Sequence, residues 1–200
     1  MKVIGLTGGI GSGKSTVAKL CQEHFKVAVI ETDQVAKEQM MPGGCSYDEV
    51  INEFGTSILQ TNGEINRALL AKLIFEDPDK VKKINEITHP KVKEYTLKEI
   101  KRLRDTMQYE AVLVETALLF EAKFDNFCDE TWCVYASEET RRARLCNTRG
   151  YSNEKIDAIL LNQDKEVDVK KQCTHQIQNE DSTTQEELLS RLKEIFAIPS

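Results

Sequence analysis

Short apolar runs alternate with stretches of helical period along most of the chain. Val3-Ile4-Gly5-Leu6 is an apolar run that ends in glycines, and it predicts a buried parallel strand. From Ser15 to Phe25 the apolar residues fall at 17, 18, 20, 21 and 25, the spacing of an amphipathic helix. Val27-Ala28-Val29-Ile30 predicts a second buried strand, closing at Glu31-Thr32-Asp33. Strand, helix and strand in about 30 residues make a βαβ unit. Ala111–Glu115 and Thr131–Tyr135 predict two further buried strands, and His175–Gln178 a weak fifth. Strands alternating with helices predict an α/β fold, a doubly wound parallel five-stranded sheet.

The spacing between the second and third strands breaks this rhythm. From Gln34 to about Met107 the pattern is nearly all helical, interrupted at Pro42-Gly43-Gly44 and Thr61-Asn62-Gly63. Asn66 to Phe75 carries Leu69, Leu70, Leu73 and Ile74 as one stripe. Asp77-Pro78-Asp79 is expected to start another helix, and His89-Pro90 to open a separate charged one through Arg104. About seventy residues of helix is far more than one crossover needs, so an inserted helical subdomain is expected. Beyond the fourth strand, Ser137 to about Asn147 reads as a basic helix and Ser152 to Gln163 as another. Thr183-x-x-Glu186 resembles a capping box opening a C-terminal helix.

Composition narrows the class. Hydrophobic residues make up 40% and charged residues 30% of the 200, enough apolar mass for a packed core. The net charge of −6 argues against a nucleic-acid partner, which calls for a basic footprint. The longest apolar runs are about five residues, against roughly 20 for a bilayer span, so no membrane partner is expected. Met1 to Leu6 shows no signal-peptide core, and a cytoplasmic location is expected. The six cysteines form no Cys-x-x-Cys pair. Cys21, Cys133 and Cys146 fall inside apolar patterns and read as small core residues, without disulfides or a structural zinc.

The strongest chemical signal is Gly8-Gly9-Ile10-Gly11-Ser12-Gly13-Lys14-Ser15-Thr16, which fits G-x-x-x-x-G-K-[ST]. In such a loop backbone N–H groups surround a phosphate, and glycines permit the positive φ and close approach this needs. The helix beginning near Lys14 adds its positive dipole end. Lys14 is expected to reach the β- and γ-phosphates, and the Ser15 hydroxyl to ligate Mg²⁺. The plain alternative is a glycine turn, but a buried strand before the motif and an amphipathic helix after it favour triphosphate binding.

Several uses of a triphosphate remain. A switch GTPase needs Asn-Lys-x-Asp, and Asn162-Gln163-Asp164-Lys165 is only a scrambled echo. A remodelling ATPase usually needs more chain. A kinase needs a carboxylate for the acceptor hydroxyl and cations for the phosphoryl in flight. Asp33, just past the second strand, is the leading base, with Glu31 as alternative and a helix N-cap as the structural reading. Glu115 ends the third strand and is expected to hold Mg²⁺ through water; a capping carboxylate is its alternative. Arg141, Arg142, Arg144 and Arg149 form a basic cluster, with 141 and 144 on one helix face. It reads as a lid that closes over phosphates, or as a solvated surface. His89 alone reads as a cap or a core histidine.

With these residues assembled, the chain resembles the dephospho-CoA kinase family along nearly its whole length. The resemblance rests on Ile4 through Thr16, Asp33-Gln34-Val35-Ala36, Gly63 with Arg67, Ile74-Phe75, His89-Pro90, Leu118-Leu119-Phe120-Glu121, Arg144, Gln163 and Asn179. It implies transfer of the γ-phosphate of ATP to the ribose 3′-hydroxyl of dephospho-CoA, with Mg²⁺, the last step of coenzyme A synthesis. It implies a P-loop core at 1–33, 108–136 and 165–200, a CoA-binding helical domain at 34–107 and a lid at 137–164. Asp33 is the implied base. Lys14, Arg141 and Arg144 stabilise the phosphoryl, while Gly9, Gly11, Ser12, Gly13 and Thr16 complete the phosphate cradle. Ser15 and Glu115 handle Mg²⁺. Arg67, His89, Leu118 and Leu119 line the acceptor site, and Asn179 lies near the adenine.

Several positions depart from the family pattern. Ala117 replaces a Pro, Arg141 a Gln, and Cys173-Thr174 an Ala-Asp pair, while Arg149 stands one residue past the expected arginine at Thr148. A kinase for another small alcohol or a nucleoside monophosphate is the nearest alternative. A nucleotide-regulated binding module is a third. A monomer or weak homo-oligomer is expected.

Overall fold

The opening βαβ unit forms as the apolar pattern predicts: β1 (Lys2–Thr7), α1 (Lys14–His24) and β2 (Val27–Glu31). The structure, a computed structural model, describes residues 1–75, 77–161 and 166–197. The chain divides into two compact units, Met1–Ile30 with Leu103–Ser200, and Glu31–Arg102.

The first unit is an α/β layer structure. Beyond β1, α1 and β2 it contains β3 (Ala111–Glu115) and β4 (Glu130–Tyr135). Then come three helices belonging to this unit, numbered below after those of the second unit, and β5 (His175–Gln178). The five strands form one parallel sheet in the order β2-β3-β1-β4-β5. β1 is central because it is hydrophobic on both faces, as a strand covered by helices on each side must be. Leu6 sits level with Glu115 and Thr7 with Cys133, so the ends of β3 and β4 flank the turn after β1. One core cluster joins Ile4, Leu6, Leu113, Trp132 and Ile177 of the sheet to Val17, Leu20 and Cys21 of α1.

Two polar features mark this unit. Burial pushes the Cys21 and Cys128 thiols up to about 12, while Cys45, in the second unit, is exposed. At the start of β4, Glu130 accepts hydrogen bonds from Lys2 Nζ (2.6 Å) and the Trp132 indole N–H (3.1 Å), with His175 Nε2 at 3.8 Å. Burial alone would raise its pKa, but the bonds from Lys2 and Trp132 outweigh it and hold the carboxyl below the usual range. A carboxyl depressed by folding contributes stability above its unfolded pKa of about 4.3, lost as pH falls through the folded value. Glu130→Gln is therefore expected to melt lower than wild type at neutral pH, by about 1–3 kcal/mol of stability. Melting curves from pH 7 down to about pH 3 should show the difference closing as Glu130 protonates in the wild type. A gap that stays constant with pH would contradict this.

The second unit is helical: α2 (Thr32–Gln39), α3 (Tyr47–Phe54), α4 (Arg67–Phe75) and α5 (Pro78–Thr106), whose last turn passes into the first unit. Val50, Ile58, Ile65 and Leu70 form its core. The separate helix expected at His89-Pro90 does not start there; Pro90 lies inside a continuous 29-residue α5. A mid-helix proline removes one hydrogen bond and crowds the carbonyl four residues back, costing about 3 kcal/mol. The buried residues Thr88, Val92, Thr96 and Ile100 run at four-residue spacing straight through the proline. That single packed stripe holds the helix together where local propensity alone would break it.

The remaining helices of the first unit are α6 (Glu138–Arg149), α7 (Asn153–Leu161), α8 (Glu166–Gln172) and α9 (Gln185–Ala197). The Arg142 guanidinium donates to Glu138 and to Asp157 (2.7 Å), tying α7 to α6. Leu188, Leu192 and Ile195 of α9 seal the core cluster beneath the sheet. Gln163 lies outside the described residues, as does the whole segment 162–165.

Candidate active site

The turn between β1 and α1 is shaped by contacts that only glycine tolerates. Gly13 caps α1 in the left-handed region, φ 93°. A Cβ there would stand 2.0 Å from Asn179 Nδ2, and one on Gly8 would stand 2.0 Å from the Val134 carbonyl oxygen. Backbone therefore packs directly against neighbouring strands and loops, and the turn is left narrow. Lys14 Nζ donates to the carbonyls of Gly8 (2.8 Å) and Gly9 (3.4 Å), so its ammonium lies across the turn. The Gly9 carbonyl also accepts the Ser12 N–H. The Ser12 side chain is fully buried, and its hydroxyl has no partner among the described residues. An orphaned buried hydroxyl donor in this turn is one that an anion would satisfy.

Ser15 and Glu115 meet at this turn. The Ser15 hydroxyl donates to Glu115 Oε1 at 2.9 Å, and both are solvent-accessible. The pairing follows from register: β3 runs beside β1, so Glu115 at its end reaches the first turn of α1. Among the described residues no cluster of three His, Cys, Asp or Glu side chains could hold a metal. One hydroxyl and one carboxylate still fit Mg²⁺, which keeps waters and takes its other ligands from phosphate oxygens. Thr16 is exposed on the next position of α1. A cavity of about 540 Å³ runs from Ser15 and Thr16 past Asn179 to Thr183.

Helix α6 braces the turn from behind. Ser137 caps the helix, its hydroxyl accepting the Thr140 N–H. Arg141 is only 6% exposed, and its Nε donates to the Ile10 carbonyl at 3.2 Å. Arg144 Nη1 donates to the carbonyls of Gly11 (3.2 Å) and Ser12 (3.3 Å). The buried Asn179 donates from Nδ2 to the Ser12 carbonyl at 2.8 Å. The Arg149 side chain lies outside those described. Periodicity places Arg141 and Arg144 on one face; it does not show that this face is turned to the loop, nor that Glu180 and Asp181 join it.

The other expected residues divide between the units. Within the first, Leu119 is fully buried and packs so closely on Gly5 that a Cβ there would meet its Cδ1 at 2.6 Å, while Leu118 is 39% exposed. Within the second, Asp33 is exposed in the first turn of α2, two residues beyond the end of β2. The N-cap of that helix is Glu31, not Asp33, and no side chain makes a cap hydrogen bond. Arg67 is exposed at the start of α4, with Nη2 at 3.6 Å from Met41 Sδ. His89 is half-buried in α5, and burial lowers its pKa, which favours the neutral imidazole.

A family model described as dephospho-CoA kinase matches residues 2–185. A dephospho-CoA kinase of Carboxydothermus hydrogenoformans is 41% identical over 154 residues, 77% of this chain and 74% of that one. One from Geobacter sulfurreducens is 36% identical over 197 residues, 98% of each chain. The crystal structure of TT1252 from Thermus thermophilus superposes with a TM-score of 0.81 at 31% identity, covering 98% of this chain and 96% of that one.

Proposed function

The chain belongs to the dephospho-CoA kinase family, and from that membership we propose which of its residues carry the transfer. The family is one of ATP-dependent phosphotransferases, and its reaction is the last step of coenzyme A synthesis. The turn Gly8–Gly13 and the N-terminus of α1 receive the β- and γ-phosphates, with Gly9, Gly11, Ser12, Gly13 and Thr16 lining the cradle. Lys14 has three donors and meets phosphate oxygens from the place where it now lies against Gly8 and Gly9. Ser15 and Glu115 hold Mg²⁺, which when bound neutralises charge on the phosphate oxygens. The nucleoside part of ATP lies in the cavity beside Asn179.

Asp33 orients the ribose 3′-hydroxyl of dephospho-CoA and takes its proton. The hydroxyl oxygen forms a bond to the γ-phosphorus as the bond to the β–γ bridging oxygen breaks, and ADP leaves with that electron pair. Lys14 supplies positive charge at the transferring phosphoryl, and Arg144 and Arg141 add to the field from behind the loop, through the carbonyls they hold. Asp33 suits the base role because ligands of parallel sheets lie beyond the carboxyl ends of strands, and β2 ends two residues before it. Arg67, neutral His89 and Leu118 face the acceptor, with Leu119 anchoring the segment that carries Leu118.

The observation that carries this reading is the Ser15–Glu115 pair at the mouth of a glycine turn that Lys14 crosses. Both substrates are small and water-soluble. No described helix is long and apolar enough to cross a membrane. A cytoplasmic, monomeric or weakly self-associating enzyme fits these substrates. A coupled assay with ATP, Mg²⁺ and a panel of acceptors tests the assignment. ADP release is expected with dephospho-CoA and not with nucleoside monophosphates or simple alcohols. Release no faster with dephospho-CoA than without acceptor would overturn it.

Glu115→Gln probes the metal role separately. It keeps the hydrogen bond to Ser15 but loses the charge, so the Mg²⁺ concentration for half-maximal activity should rise about tenfold or more. An unchanged Mg²⁺ dependence would reduce Glu115 to a cap for Ser15.

A further inference from the structure

The turn after β5 places two carboxylates, Glu180 and Asp181, next to a loop that attracts polyphosphate. Uncompensated, they would repel the ligand. Each is engaged. Glu180 accepts the Ser137 N–H (2.7 Å) and hydroxyl (2.8 Å) at the start of α6. Hydrogen bonds from Thr140 and Ser137 hold its carboxyl below the usual carboxylate range. Asp181 Oδ1 accepts from Arg144 Nε at 2.8 Å. Arg144 is therefore gripped at both edges of its planar fork, by Asp181 on one and by the Gly11 and Ser12 carbonyls on the other.

Those two carbonyls belong to the peptides whose N–H groups are carried by Ser12 and Gly13. A cation bonded to a carbonyl polarises its peptide and strengthens the N–H on the opposite side as a donor. It also fixes the peptide plane, so that the N–H keeps facing away from α6. Asn179 adds a second donor to the Ser12 carbonyl.

We propose that Asp181 is a positioning residue for the nucleotide: it locks Arg144 against the outer carbonyls of the phosphate loop and so aims the Gly13 amide at phosphate, while the Ser12 amide stays bonded to the Gly9 carbonyl and holds the turn closed. This rests on the loop being the triphosphate site, as assigned above, but not on the identity of the acceptor. Its structural contribution is small, since Asp181 is 60% exposed and exposed ion pairs add little to stability.

The test is calorimetric binding of ATP to the full chain without acceptor, so a wrong acceptor assignment leaves it intact. Asp181→Ala should weaken ATP by about fivefold to tenfold with a melting temperature close to wild type. Asp181→Asn retains an acceptor oxygen for Nε and should stay within about twofold of wild type. In an Arg144→Ala background, itself about tenfold weaker, Asp181→Ala should cost nothing more. Arg144→Lys, which keeps charge but lacks the fork, serves as the background if the alanine variant does not fold, and it should abolish the coupling equally. ATP affinity unchanged in Asp181→Ala, losses that add across the two sites, or Asp181→Asn as weak as Asp181→Ala would each overturn the proposal.

Discussion

Asp33→Ala is expected to lower kcat by about a thousandfold while ATP affinity changes by less than about twofold. The expectation follows from where the carboxylate stands. Asp33 is exposed, makes no cap hydrogen bond, and sits one position inside a helix whose N-cap is Glu31. Its removal costs α2 only the interaction of a carboxylate with the helix dipole, about 0.3–1 kcal/mol, so the fold survives. A base acts on the acceptor hydroxyl and not on the nucleotide, so the damage belongs in turnover alone. ADP release under saturating substrates, paired with calorimetric ATP binding, separates the cases. Loss of ATP binding together with turnover would make Asp33 a structural residue. Turnover near wild type would move the base elsewhere, with Glu31 next in line.

Lys14→Ala should fail in the opposite manner, losing nucleotide binding and turnover together. Its ammonium lies against the Gly8 and Gly9 carbonyls, at the centre of the glycine turn. Removing one preorganised cation from a developing phosphoryl charge costs about 10²- to 10³-fold in kcat. Because the same cation also meets the ground-state phosphates, KM for ATP should rise as well. The two variants thus assign a nucleotide side and an acceptor side to the site without further structural work. Full ATP affinity in Lys14→Ala would contradict the placement of the phosphates in this turn.

The five strands and the glycine turn were legible because each has a local signature. A parallel strand covered on both faces must be an apolar run, and a phosphate loop must spend glycines where backbone approaches backbone. Where position in three dimensions decides, local signatures mislead. Pro90 is a breaker by every local rule, yet the stripe Thr88-Val92-Thr96-Ile100 overrides it. Leu118 and Leu119 look interchangeable in the sequence, and only the contact with Gly5 shows which one is core. The arginine cluster reads as one charged surface. In the fold Arg141 is buried against Ile10, Arg142 bridges two helices and Arg144 grips the phosphate loop. Asp181 carries no signal at all, because its partner is 37 residues away and the turn holding it has no distinctive composition.

Arg141, Arg144 and Asn179 take the outward carbonyls of Ile10, Gly11 and Ser12 in succession. A segment this rich in glycine would otherwise surrender much conformational entropy on capturing a ligand. Here that ordering cost falls on folding rather than on each catalytic cycle, leaving the loop stiff before any nucleotide arrives.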